Sequence, residues 1–289
     1  MLGLLAAAGA RAEGPADAAL ARCDAAWERR AEGNDGRGGA LRSPIDQAIR
    51  ACEAATVVAA DDPAPHWRLV RALHFAAEFA SDDPDEEKAR LDAATVAAEA
   101  ALDALAGRLR GGGGRARLDV LSPDALVMEL APEERTDAAG VQFWSAVAWG
   151  AWSTQRGLLA ALRQGVVPRV HRHTLAAVAL DPRFEAGGAH RLLARLHATL
   201  PRVPGLSGWV DRSEALPEMD RALAVGPEHP GNYFLLALTL FDLAPDRRDE
   251  ALVLLDKVVA SPPRPAYVVE DLAVREAARA RVVEERDAS

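Results

Sequence analysis

The chain has 289 residues, 49% of them apolar and 27% charged, so it can bury a large core or stack several smaller ones. Aromatic residues make up only 5%, and the abundance of Ala favours close-packed helices over sheet. The net charge of −9 and the absence of any Lys/Arg cluster free of interspersed acids speak against nucleic acid or an anionic membrane surface as partner.

Residues 1–12 read MLGLLAAAGARA, small and apolar, with Ala10-Arg11-Ala12 in the form of an A-x-A cleavage site. They are expected to be a leader peptide, truncated because a charged n-region is missing, and export to the periplasm follows; without a leader the chain would be cytoplasmic. The stretch is too short to span a bilayer, no Cys follows it to carry a lipid, and no other window predicts a transmembrane segment.

N-terminal helical hairpins are expected over 15–110. A first helix over 16–32 has Leu20, Cys23, Trp27 and Ala31 at helical spacing. A Gly-rich loop, Gly33 to Gly39, separates it from a second helix that opens at Ser43-Pro44 and runs to about Ala60. Cys23 and Cys52 lie at similar distances from the centre of that loop, so two antiparallel helices would set them side by side. In an oxidising compartment they could bridge, with a gain of about 3–4 kcal/mol in the chain-entropy model; otherwise they read as two buried small apolar residues. A third helix covers 64–80, with Trp67, Val70, Leu73, His74 and Ala77 on one face. The acidic run Ser81 to Glu87 reads as an Asp cap, a Pro at the first helical position and carboxylates facing the helix dipole, rather than as a metal site. The helix it opens reaches about Arg110, and Gly111 to Gly114 break the chain there.

The second part, 115–289, is read as one continuous helical domain with the first. Ser122-Pro123-Asp124 starts a short helix that Pro132 stops; helices follow over 137–163, from Pro168 to Asp181-Pro182, and over 185–200. The Pro/Gly loop Pro201 to Trp209 precedes helices at Ser213–Val225, Asn232–Leu243, Arg248–Ala260 and Val268–Glu285. The count is about ten or eleven helices.

Four Ala-rich runs end at a Pro: Ala48–Pro63, Thr174–Pro182, Met219–Pro227 and Ala251–Pro263. A helix that closes at Pro once per hairpin is the mark of a helical repeat. Ala215, Met219 and Ala222 before Pro227, and Ala251, Leu255 and Val258 before Pro263, match the second helix of a tetratricopeptide unit of about 34 residues. In the first helix of that unit Leu235 and Leu238 fit, but Thr239 stands where Gly is usual. The fold class is therefore all-α, an α-α superhelix of degenerate tetratricopeptide-like hairpins.

From Trp144 to Ala260 the order of features is more particular: Phe143 to Trp152, then Leu180-Asp181-Pro182, Gly187-Gly188-Ala189-His190-Arg191-Leu192-Leu193, the Pro/Gly loop, Ala222-Leu223, Gly226-Pro227, and Pro230 to Ala237. This order resembles the T component (TatT family) associated with tripartite ATP-independent periplasmic (TRAP) transporters. The resemblance covers under half of the chain. It implies a periplasmic, non-enzymatic accessory of solute uptake that partners a solute-binding protein and handles a small hydrophobic ligand. The alternative is a cell-envelope tetratricopeptide scaffold whose groove holds a segment of another envelope protein; a homo-oligomer is compatible with either.

Trp144, Trp149 and Trp152 share one helix at about 0°, 140° and 80°, an arc wide enough for one to pack in the core while another lines a groove. Trp209 lies on the Pro/Gly loop. His190 and His197 share a helix face with Arg191 and Arg195, and an enzyme built around His190 is the third reading, but no nucleophile or metal pattern accompanies it. His171 and His173 are two apart and point in nearly opposite directions, a poor chelating pair. Gly187-Gly188 reads as a place of close packing, and Asn232 as an N-cap or as a clamp on a partner's backbone. The candidate ligand or partner surface is thus Trp144, Trp149, Trp152, His190, Arg191, Trp209 and Asn232, with no catalytic residue, metal or cofactor.

Overall fold

A computed structural model describes residues 14–287 with the exception of 158–160 and 162; the leader expected over 1–12 lies outside the described residues. These residues form thirteen α-helices, five short 3-10 turns and no strand. None of the helices is long and apolar enough to cross a membrane. Of the two short helices after the Gly run, the one at Pro123 is expected from the sequence and the one at Gly114–Leu118 is not.

The helices are α1 (Pro15–Glu28), α2 (Arg42–Val58), α3 (Pro63–Phe79), α4 (Pro84–Gly107), α5 (Gly114–Leu118), α6 (Pro123–Glu129) and α7 (Arg135–Arg156). They continue with α8 (Val166–Leu180), α9 (Gly188–Thr199), α10 (Ala215–Val225), α11 (Pro230–Leu243), α12 (Arg248–Ala260) and α13 (Val268–Asp287). Consecutive helices pack on one another except around the short α5 and α6, where α5 packs on α4 and α6 on α8, and α7 also lies across α3 and α4.

Local chemistry explains most boundaries. Asp62 and Asp83 accept from the backbone N–H groups of Ala64 and Asp85, and each is followed by a Pro in the first turn, as expected for α4 but not for α3, whose expected start is 64. Ser122 caps α6 by accepting from Ala125. Several expected boundaries move. The second helix begins at Arg42, with Leu41 before it, so Ser43-Pro44 lie inside the first turn, where Pro lacks only an N–H that has no partner anyway. Gly157 ends α7 well short of 163, and α8 starts at Val166, two residues ahead of Pro168. The helix expected from 185 begins only at Gly188, because Glu185 and Ala186 adopt left-handed backbone conformations (φ 49° and 51°).

Cys23 and Cys52 are joined by a disulfide, with Cα atoms 4.6 Å apart. Both are buried between α1 and α2, with Ala19 and Ala55 around them. The two ends of the chain also meet. Arg30, just past α1, is 2% exposed and donates to the Glu270 carboxylate and to the Ala266 carbonyl, both at 2.6 Å. Gly38 lies so close to α13 that a Cβ there would fall 2.6 Å from the Ala273 backbone, and its φ of +109° also suits Gly. The loop after the first helix is thereby laid on the last one, and a cavity lies beside this contact.

Candidate functional site

The cavity measures about 200 Å³. Its walls come from segments far apart in sequence: Trp27 from α1; Arg71, His74, Phe75 and Phe79 from α3; Phe143 and Trp144 from α7. Glu185 enters from the 3-10 turn before α9, Arg191 from α9, His229 from the cap of α11, and Arg264, Tyr267 and Glu270 from the chain around the start of α13.

The aromatic wall follows from helical spacing. Trp67, Arg71, His74 and Phe75 fall on one face of α3, and adjacent Phe143 and Trp144 straddle the inner face of α7. The rings hold one another edge-on: Trp27 with Phe75 at 5.5 Å, Phe143 with Trp144 at 5.2 Å. His74 packs beside Trp144, ring centroids 5.8 Å apart. Burial holds its imidazole neutral, with the pKa lowered to about 4.

The cationic wall is less ordinary. The Arg71 guanidinium lies over the Trp27 ring at 3.9 Å and the Trp67 ring at 4.9 Å. Its Nε is sealed from solvent with no hydrogen-bond partner, and the side chain makes no ion pair among the described residues. Burial lowers its pKa to about 10, against the opposing pull of Glu185. Arg191 donates to neutral acceptors only: the carbonyls of Ala186 (2.9 Å) and Glu185 (3.0 Å) and Asn232 Oδ1 (2.8 Å). Burial lowers its pKa to about 10 as well.

These bonds explain how Glu185 reaches the cavity. Two consecutive non-Gly residues in the left-handed region cost on the order of 1–2 kcal/mol each. The carbonyls of both are gripped by Arg191, and Asn232 Nδ2 adds a bond to Ala186 O at 3.3 Å. Two further sealed polar atoms on the walls have no partner: Trp144 Nε1 and Glu270 Oε2. Burial raises the Glu270 carboxyl, though Arg30 pulls the other way. Opposite them, the His229 Nδ1 accepts from Gly231 N, which leaves the ring proton on Nε2. Burial and then Arg191 lower its pKa to about 2.

Of the seven residues singled out in the sequence, Trp144 and Arg191 line this cavity. Asn232 stands behind Arg191. It is fully buried and is not the N-cap: His229 caps α11, while Asn232 donates to the carbonyls of Ala222 and Gly226, so the backbone it clamps is its own chain's. The other four lie elsewhere. Trp149 donates to Glu99 and sits under Arg169; Trp152 donates to Asp92. His190 is buried against Glu218 (Nδ1 to Oε2, 2.6 Å), and Trp209 stacks on His171 with ring centroids 3.5 Å apart. Gly187 and Gly188 serve close packing: a Cβ would meet Val225 at 2.7 Å in one case and Phe143 at 2.7 Å in the other. No group of three or more His, Cys, Asp or Glu among the described residues is placed to hold a metal ion.

Arg71, His74, Phe75, Phe79, Glu185, His229, Arg264, Tyr267 and Glu270 were not singled out as site residues. The available signal was in α3, where one Arg interrupts an otherwise aromatic face. Compared with known proteins, the chain matches no family model and no curated protein sequence.

Proposed function

We propose that the chain is a non-enzymatic helical-repeat protein that binds a small organic molecule in its central cavity and serves as an accessory of solute uptake, in the manner of the T component of TRAP transporters. The observation that carries this reading is a cavity of about 200 Å³ with aromatic walls and buried polar atoms that lack partners. Pockets with mostly apolar walls and a few convergent polar groups are where small ligands bind. Trp27 and Trp144 on its walls supply apolar surface of the kind a small ligand buries.

The tetratricopeptide reading of the C-terminal hairpins belongs to the same proposal. Ala215, Met219 and Ala222, and Ala251, Leu255 and Val258, are all buried where the repeat pattern expects close helix crossings. All but Ala215 share one core with Leu236, Ala237 and Leu240 of α11. Export and a periplasmic solute-binding partner complete the proposal.

Native mass spectrometry of protein purified gently from its own cells tests it. The expected spectrum shows a small molecule retained at one per chain, or a solute-binding protein at fixed stoichiometry. A chain that carries neither, and that takes up no small molecule afterwards, would sink the reading and favour an envelope scaffold.

A further inference from the structure

We propose that the cavity receives a small organic acid, with its carboxylate on the Arg71 guanidinium and its apolar body among the surrounding rings. The inference rests on the small-ligand reading above and adds the charge and class of the ligand.

The argument begins with charge. Arg30 is paired with Glu270, and Arg264 with Asp271, each within 2.7 Å. Arg68, next to Arg71 on α3, is held by Asp24 and Asp137. That leaves Arg71 and Arg191 on the cavity wall with Glu185 as the acid facing them, and no hydrogen bond joins Glu185's carboxylate to either. The two histidines on the wall are neutral, their pKa values lowered to about 4 and about 2. Among the residues that line the cavity, Arg71, Arg191 and Arg264 stand against Glu185 and Glu270, one positive charge in excess, which Asp24, one of the two carboxylates on Arg68, offsets in part. A buried cation without a counter-charge is costly, and a bound anion offsets that cost.

The second observation is the unused guanidinium. The Arg71 guanidinium makes no hydrogen bond and no ion pair among the described residues, whereas Arg30, Arg191 and Arg264 around the same cavity are all bonded. Buried donors are almost always satisfied, so an unpaired guanidinium on a cavity wall points to an acceptor supplied by a ligand. An Arg fork suits a carboxylate, which takes two parallel bonds. The third observation is the remaining lining: Trp27, Phe75, Phe79, Phe143 and Tyr267 offer ring faces and edges, which suit an apolar body and not a hydrated inorganic ion. The ligand is accordingly amphipathic, with one negative charge.

The test uses the full chain and three matched probe pairs, hexanoate with hexanamide, octanoate with octanamide, and phenylacetate with phenylacetamide, plus inorganic phosphate, by calorimetry and thermal shift. At least one carboxylate should bind about 10- to 100-fold more tightly than its amide, the range expected for hydrogen bonds to a charged group. Arg71→Met should remove that preference without lowering the melting temperature of the ligand-free protein, because it replaces an unpaired buried cation with an apolar chain of similar size. An Arg with a purely structural role would lower it. Equal affinity for acids and amides, or phosphate binding as tightly as the acids, would overturn this inference while leaving the small-ligand reading intact. If neither acids nor amides bind and the gently purified protein is empty, both fall.

Discussion

Individual residues in this molecule act through the space around them as much as through their own chemistry. Gly140 and Gly150 lie on the same helix, α7, and both would gain helix propensity from Ala. Yet a Cβ on Gly140 would sit 2.8 Å from the Trp67 ring, whereas one on Gly150 meets nothing within 4 Å. Trp67 cannot retreat, because its Nε1 donates to Asp137 and its ring packs on Phe184. Gly140→Ala is therefore expected to destabilise the fold by about 1–3 kcal/mol through overpacking, and Gly150→Ala to stabilise it by about 0.5–1 kcal/mol. Urea midpoints of the two variants check the opposite signs; a stabilised Gly140→Ala would show that the α3–α7 contact is looser than described.

Among elements, the hairpin of α1 and α2 matters beyond its own packing, because the loop that joins its helices carries Arg30 and Gly38 onto α13. The disulfide closes that hairpin across a separation of 29 residues. Cross-linking at this span is worth about 3–4 kcal/mol in the chain-entropy model. The Cys23→Ala/Cys52→Ala double variant should lose roughly that much stability. Hydrogen exchange should show the extra opening in α1 and α2 first, with α9 to α12 protected as before. Uniform loss of protection would mean that the hairpin and the distant helices open together, as a single unit.

For the whole molecule, the buried histidines set the response to acid. His74 and His171 have pKa values lowered to about 4, His173 to about 3 and His229 to about 2, in every case chiefly by burial. Below the ordinary value of 6.5 the unfolded chain takes up protons that the folded chain refuses, so stability falls as pH drops from 6.5 to about 4. Each histidine contributes a slope of at most about 1.4 kcal/mol per pH unit. Glu78 and Glu270, whose carboxyls burial pushes up, work in the opposite direction above their ordinary value of 4.5, but they are two against four. Urea midpoints measured from pH 7 to pH 4 should decline, and His74→Leu should flatten the slope by one proton. A midpoint that holds level on acidification would contradict the neutral, buried state of these rings.

The sequence by itself determined the helices. Asp-Pro caps, Pro stops and apolar spacing act within a few residues, so they could be read locally, and Arg248–Ala260 falls where its pattern placed it. The side-by-side placement of Cys23 and Cys52 was legible for the same reason, since it needs only two helices and one loop. Of the cavity, Trp144 and Arg191 could be named because an aromatic-rich helix and a basic helix face stand out. What they face could not be named. The sequence shows Arg71 only as one Arg on an aromatic face of α3; its burial follows from Trp27, Trp67 and Glu185 closing around it. The left-handed turn at Glu185-Ala186 has no local cause either; it depends on Arg191 and on Asn232, 46 residues beyond Ala186. Local interactions choose helix and loop. Which charges are buried, and whether they find partners, was decided only when the two ends of the chain met around the cavity.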